Sequence, residues 1–262
     1  MSEKIYAVTG AANGIGRALA VMLDAAGHTV ICLDVLRPED AVGRYINLDL
    51  DDPQSIKQAV LDVPEGIDGL CNCAGLPPRP GLEAKILSVN FVGTRAFTAM
   101  VQHKLNKGGS VVNMASRAGH KWRDNIEQIK RFGVVSKSEL EKFINAEGIN
   151  PVRAYDLSKE AVILWTMAMS EAYLKRGQRI NSVSPGAVET AIMKDFETAF
   201  GDRMAKNVKR AGRAGTAQEI AHLAAFLLSP DSGWVKGTDI SIDGGMSAFA
   251  GADAMDLRTL AS

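Results

Sequence analysis

The chain has 262 residues, enough for one or two domains, and its 30 lysines and arginines balance 30 aspartates and glutamates. A formal net charge of zero leaves no basic field to gather nucleic acid or anionic lipid, so a small neutral or apolar ligand is the expected partner. Three cysteines in apolar runs, Cys32, Cys71 and Cys73, suit buried reduced thiols rather than a disulfide framework or a metal site; with no secretory-type apolar N-terminus and no run near the ~18 apolar residues of a membrane span, the cytoplasm is the expected compartment.

Along the chain, Val- and Ile-rich runs alternate with longer stretches of helical period. That is the pattern of repeated βα units, and it predicts one α/β domain over 1–262, a doubly wound Rossmann-type fold with a seven-stranded parallel sheet flanked by helices. Lys4 to Thr9 reads as the first strand, followed by a glycine-rich turn and a helix over Ile15 to Ala26 that Gly27 ends. Strands follow at Thr29 to Asp34, Tyr45 to Asp49 and Asp68 to Asn72, and Asp52 and Pro53 supply an N-cap and first-turn proline for the helix between the last two. A long helix through Ile86 to Gln102 leads to the fifth strand, Ser110 to Ala115, and a helix from Arg153 to Arg176 leads to the sixth, Arg179 to Ser184. Thr216 and Glu219 form a capping box for a helix through Leu228, and Asp239 to Ile242 closes the sheet. Two segments break the alternation. In 117–150, Trp122, Ile126 and Ile129, then Leu140, Phe143 and Ile144, mark two short amphipathic helices, and the small, polar tail 249–262 is expected to be partly disordered.

The turn Thr9-Gly10-Ala11-Ala12-Asn13-Gly14-Ile15-Gly16 lies between a strand and a helix, where glycines let a pyrophosphate approach the backbone at a helix N-terminus. Asp34 ends the second strand 24 residues after Gly10, where a carboxylate accepts hydrogen bonds from the adenosine ribose of NAD and repels a 2′-phosphate. Arg37 could bind such a phosphate, so NAD is favoured over NADP without being exclusive.

Tyr155 and Lys159 are four apart on one helix and share a face. A tyrosine acting as base at neutral pH needs a shift of about three units, roughly 4 kcal/mol. A unit charge about 4 Å away at an effective dielectric near 20 supplies about that much. Ser116 follows the fifth strand at the same sheet edge and can hydrogen-bond a substrate oxygen as charge develops on it.

Taken in order, these motifs resemble the short-chain dehydrogenase/reductase family from Thr9 to about Gly245. The resemblance implies catalytic roles for Asn90, Ser116, Tyr155 and Lys159, with Asn90 holding a proton-relay water. It also implies cofactor contacts from Gly10, Asn13, Gly14, Ile15, Gly16, Asp34, Asp49, Leu50, Cys73, Ala74, Gly75, Tyr155, Lys159, Pro185, Gly186, Val188 and Thr190. Cys73 stands where the family's Asn-Asn-Ala-Gly element has its second asparagine. Ser116 and Tyr155 are 39 apart, far more than is usual in the family, which makes 117–150 an insertion. That insertion and the Ala74-Gly75-Leu76-Pro77 run are similar to the bacterial 3α-hydroxysteroid and coniferyl-alcohol dehydrogenase subgroup.

What the resemblance implies is NAD-dependent interconversion of a hydrophobic cyclic or aromatic alcohol and its carbonyl, by a homo-oligomer, dimer or tetramer. The alternative is a non-catalytic NAD-binding sensor or scaffold, which usually loses the tyrosine or the lysine; both are kept here. A sugar-nucleotide epimerase normally adds a C-terminal substrate domain, and an enoyl reductase spaces its tyrosine and lysine more widely than one turn. An apolar lid carrying Ile192, Met193 and Phe196 is expected in the loop from Ala187 to Gly215, while Trp122 and His120 either line the cleft or pack elsewhere.

Overall fold

The computed structural model describes residues 2–38, 40, 42–257 and 260. Strands β1 (Ile5–Thr9), β2 (Thr29–Asp34), β3 (Arg44–Asn47), β4 (Ile67–Asn72), β5 (Leu105–Met114) and β6 (Arg179–Pro185) precede two short strands, β7 (Val188–Glu189) and β8 (Gly215–Thr216), and a last strand, β9 (Asp239–Ile242). The main sheet has the order β3-β2-β1-β4-β5-β6-β9 with every pair parallel. Strand order reverses between β1 and β4, so a crevice opens at the carboxyl ends of the strands there. The β7–β8 pair is a small second sheet that the sequence pattern did not reveal.

Both faces of the sheet are buried, which is why its strands read as continuous apolar runs. Ala7, Ile31, Leu70 and Val111 pack with Phe97, Val101 and Tyr173 on one side, and their chain neighbours Val8, Cys32, Cys71 and Val112 pack with Leu19, Leu23 and Ile220 on the other. The first layer is built by α2 (Pro53–Asp62), α4 (Thr94–Val101) and α7 (Pro151–Lys175), the second by α1 (Gly14–Ala25) and α9 (Ala217–Leu228). Asp52 caps α2 through the Gln54 amide, and the Thr216–Glu219 capping box opens α9, both as expected. The layers are joined through a buried polar chain, in which Asn72 Nδ2 donates to Asn113 Oδ1 at 2.8 Å and Asn113 Nδ2 to Thr166 Oγ1 at 2.9 Å. These bonds fix β4, β5 and α7 in one register, since a buried amide left unpaired costs about 1–3 kcal/mol.

Three expectations need correction. The helix through Ile86 to Gln102 is broken into α3 (Glu83–Leu87), a π-helical turn over Ser88–Gly93, α4 and a 3-10 turn over Gln102–Lys104. A Cβ on Gly93 would lie 1.9 Å from the Leu50 carbonyl oxygen, so glycine admits this close crossing. The segment from Ala187 to Gly215 is mostly α8 (Met193–Ala211), kinked at Gly201 with φ 49° and ψ −136°, and not a loop. The tail is ordered as α10 (Met246–Ala254) through its first residues; Arg258, Thr259, Ala261 and Ser262 lie outside the described residues.

The 117–150 segment forms a 3-10 turn (Arg117–Lys121), then α5 (Ile126–Gly133) and α6 (Leu140–Glu147). Ile129, Phe132, Leu140 and Ile144 bury against Phe91 and Leu157. A polar chain ties the same helices to α7: Glu160, 1% exposed, accepts from Arg153 at 2.6 Å and from Asn125 at 2.7 Å, and Arg153 also donates to Gln128. Trp122 packs into this cluster and neither it nor His120 lines the cleft. No helix among the described residues is long and apolar enough to cross a membrane, and no group of three or more His, Cys, Asp or Glu among them could hold a metal ion.

Candidate active site

A cleft of about 660 Å³ follows the carboxyl ends of the central strands from Asp34 to the α8 side chains. Every cofactor-side residue inferred from the motifs lines it, from Gly10 and Asn13 through Asp49, Leu50 and Cys73 to Val188 and Thr190, and so do Ser116, Tyr155 and Lys159.

At one end the glycine turn leaves β1 with Gly10 at φ 67°, where a Cβ would stand 2.7 Å from the Ala74 nitrogen. Asp34 holds the turn from the side: its Oδ2 accepts from the Ala12 amide at 2.9 Å and its Oδ1 from the Leu36 amide at 3.0 Å. Asp49 lines the same end and accepts from the Asp51 amide at 2.8 Å. Arg37 is not part of the lining; its guanidinium lies over the Tyr45 ring at 5.9 Å, and the Tyr45 hydroxyl donates to the Asp34 carbonyl at 2.9 Å. Cys73, in place of the usual asparagine, meets Cys71 Sγ at 3.4 Å, far beyond the roughly 2.05 Å of a disulfide. The Asn72 Nδ2 bonds to Asn113 and Thr98 secure this part of the sheet, while Asn72 Oδ1 is left without a partner.

At the other end α7 presents Tyr155, 6% exposed, and Lys159, also 6%, on one face as their spacing predicts. Lys159 Nζ donates to the Met114 carbonyl at 2.8 Å and stands 5.7 Å from the Tyr155 ring centroid. Burial pushes the phenol pKa well above its ordinary value, with the Ser116 hydroxyl pulling the other way and Asp156 adding to the rise. Burial also brings Lys159 down to about 8. Desolvation thus dominates at the phenol, which holds its proton.

Asn90 is not in the cleft wall. It lies in the π-helical turn, 2% exposed, with Oδ1 accepting from the Leu76 amide at 2.7 Å and Nδ2 donating to the Leu76 carbonyl at 3.0 Å and to Ser158 Oγ at 3.2 Å. Its amide is spent fixing the loop after β4, directly behind Gly75. Its side chain is thus a positioning group for this loop.

Sequence reasoning missed most of the α8 wall. Ile192 and Phe196 line the cleft as expected, Met193 does not, and Phe200, Arg203, Met204 and Asn207 join them. Phe196 meets the Tyr155 ring edge-on at 5.2 Å and stacks on Phe200 at 6.2 Å. These rings cover the phenol and exclude water from it.

Beside Tyr155, Asp156 has a carboxyl oxygen, Oδ1, that is buried without a hydrogen-bond partner. Its pKa is raised to about 7, by burial first and then by Glu160, against Arg153, Arg203 and Lys121. The folded chain thus binds this proton more tightly than the unfolded chain, whose aspartate titrates near 3.9, so stability falls as pH rises from about 4 to about 7. We expect Asp156→Asn to change stability little at about pH 4 and to raise it by roughly 2 kcal/mol at about pH 8, read by urea unfolding. Equal effects at both pH values would show that the carboxyl ionises normally.

Comparison with known proteins adds independent information. One family model, described as short chain dehydrogenase, matches residues 4–127, and a second, described as Enoyl-(Acyl carrier protein) reductase, matches 135–247; the break falls within 117–150. The chain is similar to the coniferyl-alcohol dehydrogenase of Pseudomonas sp. (strain HR199), at 33% identity over 95% of this chain and 98% of the relative. It is also similar to the 3-alpha-hydroxysteroid dehydrogenase/carbonyl reductase of Comamonas testosteroni, at 30% identity over 93% of this chain and 96% of the relative. A solved structure, the 3-alpha-hydroxysteroid dehydrogenase from Pseudomonas sp. B-0831 complexed with NADH, superposes with a TM-score of 0.81 at 28% identity, covering 94% of this chain and 98% of that one.

Proposed function

The chain belongs to the short-chain dehydrogenase/reductase family, and from that premise we propose that it is an NAD-dependent dehydrogenase that interconverts a hydrophobic cyclic or aromatic alcohol and its carbonyl, with Tyr155 as the acid/base. The observation that carries the reading is one continuous cleft in which Ser116, Tyr155 and Lys159 face the same space as the glycine turn and Asp34.

The residues fit a dinucleotide. The bare backbone at Gly10 and the N-terminal turn of α1 suit a pyrophosphate, and the Asp34 carboxylate in the lining suits an unphosphorylated ribose. When bound, the oxidised nicotinamide supplies a hydride acceptor and a positive charge. Lys159, anchored on the Met114 carbonyl, is placed to bind the adjoining ribose. Ser116 Oγ holds the substrate oxygen, and Tyr155 takes its proton in oxidation or returns it in reduction. Because burial keeps the free phenol protonated, the resting site is set as a proton donor for carbonyl reduction, and alcohol oxidation should strengthen as pH rises. The similarity to a coniferyl-alcohol dehydrogenase and a 3-alpha-hydroxysteroid dehydrogenase, together with the aromatic α8 wall, supports a bulky apolar substrate.

The test is NADH formation over a panel of aromatic, alicyclic and small polyol alcohols, with NAD and NADP compared. We expect turnover of the first two classes with NAD preferred by at least about tenfold. Turnover of polyols alone would contradict the substrate class, and no turnover of any alcohol would favour the sensor reading.

A further inference from the structure

The ionisable groups along the cleft are sorted by sign. The acids that line it, Asp34 and Asp49, lie at the glycine-turn end, where Lys85 also faces Asp51. Around Tyr155 the charged lining groups are Lys159, Arg117 and Arg203. Lys159 donates to the Met114 carbonyl and Arg117 is partly paired, whereas Arg203 is without a partner among the described residues.

Arg117 follows Ser116 directly. Its Nε is buried without a hydrogen-bond partner, its Nη2 donates to the Met246 carbonyl at 3.4 Å, and it forms an ion pair at 3.7 Å with the Asp243 carboxylate, which also accepts from the Gly245 and Ser247 amides. Arg203 is exposed at the rim on α8 and makes no hydrogen bond or ion pair with another described residue. Arg203 lies near enough to Arg117 to depress its pKa, adding to burial, and near enough to His120 to do the same there with Arg117 and Lys121. The acid that feels Arg203 is Asp156, whose titration near neutrality makes it a poor counter-ion. A partly neutralised Arg117 beside Ser116 and an unpartnered Arg203 on the α8 wall of Phe196, Phe200 and Met204 thus both face a largely apolar pocket. Such an arrangement is stabilised when an anion enters between them.

We propose that Arg203, backed by Arg117, forms an anion subsite, so that the substrate is an aromatic or alicyclic alcohol, or its carbonyl, bearing a carboxylate at the end remote from the reacting carbon. The inference rests on the dehydrogenase reading above and sharpens its substrate class. The planar fork of arginine matches a carboxylate, and the aromatic α8 wall suits the ring between the two ends.

The experiment compares isosteric pairs that differ in charge: para-(hydroxymethyl)benzoate against para-(hydroxymethyl)benzamide, and para-(hydroxymethyl)cinnamate against its amide. We expect at least one carboxylate to show kcat/KM about tenfold or more above its amide, at low salt, with the ratio falling toward one in Arg203→Gln and largely kept in Arg203→Lys. Calorimetric binding of the same four compounds to the NADH-loaded protein should show the same preference and the same dependence on Arg203, whether or not any of them is turned over. Equal binding of carboxylate and amide in both pairs would overturn the subsite while leaving the dehydrogenase reading intact. So would an Arg203→Gln protein that loses NADH affinity but keeps its carboxylate preference, because the cation would then serve the coenzyme phosphates. Carboxylate-selective binding without oxidation of any alcohol would keep the subsite and remove the dehydrogenase reading.

Discussion

Replacing Tyr155 with phenylalanine should lower kcat by about a thousandfold or more, some 4 kcal/mol of barrier, while NADH binding changes by less than about threefold. The phenol faces the space between Ser116 and the rings of α8 and can exchange a proton with a substrate oxygen held there. Its oxygen hydrogen-bonds the Ser116 side chain, and the ring itself is held edge-on by Phe196 and Phe200, so phenylalanine keeps the packing. Lys159 keeps its anchor on Met114 in the variant, which leaves the coenzyme side intact. Measurement is by steady-state rates together with quenching of protein fluorescence on NADH addition. A variant that retains a tenth of the wild-type rate would assign the proton to another group or to water.

A single methyl group at the glycine turn should have the next largest effect. A Cβ on Gly16 would lie 2.2 Å from the Gly10 carbonyl oxygen and 2.7 Å from the Gly10 carbonyl carbon, both backbone atoms that cannot rotate aside. In Gly16→Ala the turn and the first turn of α1 must therefore separate, which costs about 1–3 kcal/mol of stability as overpacking does. The same displacement opens the cradle, and we expect NADH affinity to fall by at least about tenfold. Gly133→Ala is the control: nothing lies within 4 Å of its added Cβ, and alanine favours the helix it ends. Urea unfolding and NADH titration read both variants. Unchanged affinity in Gly16→Ala would mean that the coenzyme does not sit against this turn.

The parts of this protein that were legible in its sequence are those fixed by local periodicity and by backbone demands. The β strands alternate between two apolar layers, so Val8 and Ala7 or Val112 and Val111 each find a core, and the runs are unmistakable. The glycine turn is legible because no other residue fits at Gly10 and Gly16, and the tyrosine and lysine because one helical turn brings them to one wall. The insertion helices were legible for the same reason, since Ile129, Leu140 and Ile144 repeat with helical period.

What escaped depends on atoms far apart in the chain. The π-helical turn keeps the apolar pattern of an unbroken helix, and the approach of Leu50 to Gly93 that accompanies it joins residues far apart in the chain. The α8 wall was read as a loop because Gly201 splits Phe196 and Phe200 from Met204, and because the helix has no fully buried residue to give a clear stripe. Spacing also placed Lys159 near Tyr155 without revealing that the Met114 carbonyl claims the ammonium. The side chain of Asn90 turned out to be occupied by Leu76, a partner that only the loop after β4 brings within reach.

The account stands most directly on whether a hydride leaves an alcohol carbon for NAD in this cleft under the control of one phenol. Incubating the protein with NAD and an aromatic alcohol deuterated at its carbinol carbon, then weighing the recovered coenzyme by mass spectrometry, measures that transfer. The expected result is reduced coenzyme carrying the substrate's deuterium with the wild-type chain and almost none with Tyr155→Phe. Reduced coenzyme without the label, or label transferred equally well by the variant, would contradict it.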